Sequence, residues 1–206
     1  MATSGILTDA HIRQAVEEGA IRIDPYDPAQ LNPTSYDLTL GTEVAVYRNW
    51  VETYSANPPS PVQDGSRFQV LDHPFDVKVE PKIERFEIDP ERGWLLKPGI
   101  GYLMHVRENV YTRAFVPILD GKSSIGRLFI QVHATAGYGD PGFDGQFTLE
   151  VIVQHPIRVY PGMRICQIRF QDMSGWVERT YDKTGHYRGE AAKGAIPSQA
   201  WRQFNR

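Results

Sequence analysis

LDGKSSIGRLFIQVHATAGYGDPGFDGQFTLE, residues 119–150, gathers most of the chain's readable chemistry into one stretch. Gly121 followed by Lys122, Ser123 and Ser124 reads as the start of one or two helical turns. Unpaired backbone N–H groups there, with two hydroxyls and a cation, suit a phosphate oxygen. Ser123 and Arg127 stand four apart, so a helix projects both from one face, where they could hold a small group such as a water. Residues 129–132 and 147–151 are rich in β-branched and aromatic side chains and read as strands, with Gly/Pro turn chemistry over 136–145 between them. Glu150 falls inside the second, otherwise apolar strand. Each piece also has a plain structural reading. GKSS lacks the spacing of a phosphate-binding P-loop, and strand alternation alone could turn Glu150 to water.

Working outward, residues 94–119 read as strand, turn at Pro98-Gly99, strand, and a further strand over 114–119, while 157–170 read as two strands around Pro161-Gly162. Residues 32–41 alternate Tyr36, Leu38 and Leu40 as a half-buried strand. One helix is expected within 5–20, with Thr8 or Asp9 as N-cap, an apolar stripe of Ile12, Ala15 and Val16, and Gly19 as its stop. Short strands, Gly/Pro punctuation and a single long helix predict a mainly β fold, a distorted barrel or jelly-roll-like sandwich, rather than βαβ units. The polar Pro-rich loop 55–66 separates strands without marking a domain boundary, so residues 1–206 are expected to form one domain. The stretch 181–206 is polar and Gly-punctuated, the composition of a tail.

Composition narrows the function. A formal net charge of −3 disfavours a nucleic-acid polymer as partner, which needs a basic face, and leaves a small nucleotide whose phosphates meet a local cluster plus a metal ion. No apolar run approaches the ~20 residues of a membrane span, and the first residues lack the apolar core of a signal peptide. With Cys166 as the one cysteine, no intramolecular disulfide can form; a cytoplasmic location is the expectation.

Taken in order and spacing, GKSSIGRL, AGYGDPGFDG and LE resemble motifs of the dCTP deaminase branch of the dUTPase-like superfamily. Residues 33–41 are similar to its PxSYDLxLG motif, Ile6-Leu7-Thr8-Asp9 to its first residues, and 161–167 to its PGMxIxQ segment. The resemblance implies a dUTPase-type barrel, a homotrimer with sites shared between subunits, and hydrolytic deamination of dCTP to dUTP and ammonia. It makes Glu150 the general base and acid, with Ser123 and Arg127 holding the water. It gives Asp140 and Phe143 to the deoxyribose, and Lys122, Ser124 and Tyr181 to the phosphates; Ala136 and Tyr187 complete the nucleotide contacts. The tail 181–206 would close over the nucleotide. Mg²⁺ would ride on the triphosphate. Zinc is not expected, because deaminases that use it need a His and Cys ligand set, and one cysteine with histidines at 11, 73, 105, 133, 155 and 186 shows no close ligand pair. A carboxylate must then accept and return the proton.

The chain also departs from the family pattern. His186 stands where a phosphate-binding lysine is usual, and Glu190 where a base-reading glutamine is, followed by extra residues Ala191-Ala192 before Lys193, which could replace the lost cation. Three alternatives stay open. The first is a bifunctional enzyme giving dUMP and pyrophosphate, toward which Phe143 leans because single-activity members often carry Trp there. The second is a plain dUTPase using Asp140, and the third a non-catalytic nucleotide-binding trimer. dCTP and dUTP are the expected ligands, with dTTP a candidate inhibitor.

Overall fold

The computed structural model describes residues 5–47, 75–134, 136–189 and 193–205 in full and the backbone of 50–52 and 68–70. The expected loop 55–66 and Glu190 lie outside the described residues. In chain order the elements are α1 (Asp9–Glu17), β1 (Ile21–Asp24), β2 (Leu31–Asn32), β3 (Ser35–Tyr47), β4 (Trp50–Glu52), β5 (Phe68–Val70), β6 (Ile83–Glu87), β7 (Trp94–Leu96), β8 (Tyr102–Thr112), β9 (Phe115–Gly121), α2 (Ser123–Gly126), β10 (Ile130–Gln131), β11 (Asp144–Val153), β12 (Ile157–Val159), β13 (Arg164–Asp172) and α3 (Tyr181–Thr184). The expected mainly β, barrel-like architecture is the one observed.

The principal sheet runs β10-β11-β8-β3-β13-β9, with β1 on β8 and both β2 and β6 on β3. It comes close to closing, because the loop after β10 returns to its far edge: Leu119 N donates to Gly137 O at 2.6 Å and Gly139 N to Pro117 O at 2.8 Å. Both glycines are needed at this approach, since a Cβ at Gly137 would stand 2.4 Å from Leu119 O and one at Gly139 2.8 Å from Pro117 O. The motif loop is thereby fastened to the barrel wall. Inside, Tyr36, Leu38, Leu40, Trp94, Leu96, Tyr102, Met104, Leu149, Cys166 and Phe170 share one core. Each large apolar side chain so buried contributes about 1.5–3 kcal/mol.

Three expectations are refined. α1 starts only at Asp9, after Thr8, whose hydroxyl is engaged by His11 Nδ1 at 2.9 Å instead of capping the helix. The strand expected over 129–132 shrinks to Ile130–Gln131, because Phe129 takes φ +57°, a conformation that breaks a strand. The two strands around Pro161-Gly162 form as expected but do not pair with each other. β12 joins β7, whereas β13 joins β3 and β9, with Gly162 at φ +78° redirecting the chain between the sheets.

Candidate active site

β11, opposite β8, forms the floor of the site. Period-2 alternation sends Leu149 and Val151 fully into the core and leaves Gln146, Thr148 and Glu150 half-buried on the other face. Glu150 accepts a hydrogen bond from Ala134 N at 3.3 Å, which ties its carboxylate to the loop after β10.

That loop ends in the Asp140-Pro141-Gly142-Phe143 turn, closed by Phe143 N donating to Asp140 O at 3.1 Å, with Gly142 buried at φ +94°. A Cβ at Gly142 would come within 2.8 Å of the Asp182 carboxylate and 3.1 Å of Tyr181 N, so glycine lets the start of the tail lie directly on the turn. Tyr181 N donates to Pro141 O at 2.8 Å. Arg113 pairs with Asp182 at 2.6 Å, and the Thr180 hydroxyl also bonds that carboxylate; the hydroxyl first and then the guanidinium hold the Asp182 carboxyl below its usual range.

Phe143 packs at 4.7 Å from Phe147 and edge-on at 5.7 Å from Tyr181, an aromatic corner beside Asp140. Burial raises the Tyr181 phenol above its ordinary range, so its oxygen stays protonated while accepting from Tyr187 N at 3.2 Å. Gly185 lies flat against the Tyr181 ring: a Cβ there would stand 2.1 Å from Cε1. Gly185→Ala is therefore expected to push the Tyr181 ring off Phe143 and lower the midpoint of thermal unfolding; an unchanged midpoint would mean that the ring shifts at no cost.

These pieces enclose a cavity of about 590 Å³. Glu150, Asp140, Phe143, Ala136, Tyr181 and Tyr187, all candidates from sequence, line it together. The other described candidates do not. Ser123, Ser124 and Arg127 lie exposed on or just after α2, which is held to the core by Ile125. Lys122, at the start of α2, places its ammonium 2.8 Å from both oxygens of Asp37, a fully buried carboxylate that also meets Arg164 at 3.4 Å and Asn32 Nδ2 at 2.9 Å. His186 and Lys193 are exposed and outside the lining.

Reasoning from sequence missed Tyr47, Gln146, Thr148, Ile196 and Ser198, which also line the cavity. A signal existed for two of them, since Gln146 and Thr148 alternate with Glu150 along one strand. The tail residues carried none.

The family model described as dCTP deaminase-like matches residues 6–173. Over 186 residues the chain is 39% identical to a protein of Leptospira biflexa named dCTP deaminase, dUMP-forming, covering 90% of this chain and 91% of that one. A protein of the same name from Cytophaga hutchinsonii is 40% identical over 187 residues, covering 90% and 91%. Another, from Hathewaya histolytica, is 37% identical over 199 residues, covering 97% and 99%. Among solved structures, the 2'-deoxycytidine 5'-triphosphate deaminase of Agrobacterium tumefaciens is similar with a TM-score of 0.57 at 26% identity, covering 83% of this chain. The chain spans about half that solved chain, 49% of its length.

Proposed function

The chain belongs to the dCTP deaminase-like family, and on that premise we propose that it converts dCTP and two waters to dUMP, ammonia and pyrophosphate. The observation that carries this reading is one cavity lined by two carboxylates, Glu150 and Asp140, beside the Phe143 and Tyr181 rings. The relatives' shared name, dUMP-forming, favours this alternative over the dUTP-forming reading that led from sequence.

Glu150 takes a proton from the water that attacks C4 of cytosine and delivers it to N3, then carries the second proton from the new C4 hydroxyl to the amine, which leaves as ammonia as the C4 carbonyl forms. Its half-buried setting, backed by the fully buried Leu149 and Val151, suits such a role. Asp140 and Phe143 take the deoxyribose. Ser123 and Arg127 reach the water from a neighbouring subunit of a homotrimer, a placement supported by their exposure on the outer face of α2. Mg²⁺ would be held by the phosphate oxygens of the triphosphate and would offset part of its charge.

Chromatography of products from dCTP and Mg²⁺, with ammonia assayed in parallel, tests the reading. Ammonia and pyrophosphate are expected in equal amounts with dUMP as the nucleotide. Accumulating dUTP would restore the single-activity reading, and absence of ammonia would sink both.

A further inference from the structure

We propose that Thr148 is a positioning residue for the nucleotide cavity: with Gln146, Glu43 and Arg85 it forms a socket that fixes residues 194–196, making Ile196 and Ser198 a wall of that cavity. The substrate arm of this inference rests on the function proposed above.

The socket is drawn from three strands. On β11 the Thr148 hydroxyl donates to Gly194 O at 3.2 Å and accepts from Ile196 N at 3.2 Å, while Gln146 Oε1 accepts from Gly194 N at 2.9 Å. Glu43 of β3 accepts from Ala195 N at 3.1 Å, and Arg85 of β6 donates to Ala195 O at 3.1 Å while pairing with Glu43 at 3.3 Å. Every backbone polar group of Gly194 and Ala195 therefore meets a side chain. Ala195 itself is fully buried against Ala45 and Leu103. Gly194 sits at φ +74°, which a side chain would resist, and its Cβ would press on Glu43 at 3.1 Å. Just beyond, Ser198 N donates to Tyr47 Oη and Gln199 N to Tyr187 Oη, each at 3.1 Å.

A segment with so many backbone groups answered by specific side chains is seated by design rather than resting on the surface. The same strand face supplies Thr148 and Glu150, so the socket ties the placement of the wall to the strand carrying the carboxylate. The far wall is thus built by the chain itself, and substrate affinity depends on it.

Full-length Thr148→Val and Thr148→Ser test this. Valine keeps the shape and removes both bonds; its KM for dCTP should rise about tenfold with kcat within about twofold, the size expected from two neutral hydrogen bonds. Limited trypsin cleavage after Lys193 should speed up about tenfold, and Thr148→Ser should restore both readouts. Wild-type KM in Thr148→Val, or faster cleavage without a change in KM, would overturn the proposal, as would equal losses in kcat and stability that serine does not rescue. Failure of the wild-type protein to act on dCTP would instead defeat the proposed activity, leaving the cleavage comparison to judge the socket.

Discussion

Glu150→Gln is expected to lower the rate of ammonia release from dCTP by roughly 10²–10⁴-fold, the range for loss of a general base. Glutamine keeps the volume and can still accept from Ala134 N, so the bond to the loop after β10 survives. What it loses is the capacity to take a proton from water. Nucleotide affinity, measured by calorimetry with dCTP and Mg²⁺, should change by no more than about threefold. Ammonia release at the wild-type rate would transfer the base role to another group, with Asp140 in the same cavity the first to examine. Retained binding with abolished turnover would also dispose of the non-catalytic reading, because a binding-only protein has no turnover to lose.

The second large effect concerns stability. Asp37→Ala should destabilise the fold by about 3–5 kcal/mol, the cost of breaking a buried ion pair from one side. Asp37 is 0% exposed, and Lys122, which holds both its oxygens at 2.8 Å, has only a quarter of its side chain in water. Truncation would strand that ammonium, leave Asn32 Nδ2 with only its 3.4 Å bond to Gln30 O and release Arg164 Nη1, although Arg164 would keep its bond to Ala29 O. At about 2–4 °C per kcal/mol for a chain of this size, the midpoint of thermal unfolding followed by circular dichroism should fall by roughly 6–20 °C. Replacing both partners, Asp37→Leu with Lys122→Met, should recover most of the loss, because the pair's attraction largely offsets its own desolvation. A single variant as stable as wild type would mean that Lys122 turns outward to water at no cost. Under the proposed function the loss would reach the site through α2, because Lys122 directly precedes Ser123 and Arg127 closes the same helix.

The candidates that the structure brings together were legible for a local reason. Asp140, Phe143 and Glu150 sit on one loop and the strand that follows it, so a turn signal and a two-residue period were enough to set them near each other. The partner of Lys122 was not legible. Asp37 lies 85 positions away, and the two meet only because β13 pairs with β3 on one side and β9 on the other. The same holds for Tyr47, which enters the cavity from the end of β3, and for Ile196 and Ser198, which arrive from the tail. The divergence of β12 from β13 was equally hidden, because a Pro-Gly turn fits a hairpin as well as a passage between sheets.

By itself the sequence determined the class of fold, the approximate place of its strands, a set of carboxylates and aromatics that share one cavity, and the family to which the chain belongs. Those follow from local alternation, turn chemistry and motif order. Tertiary structure alone decided that Lys122 spends its charge on Asp37, that residues 194–196 are seated in a socket, and that the motif loop is stitched to β9. Each depends on strand register between distant segments, where the free energy of pairing is shared among many weak contacts and no single residue announces its partner.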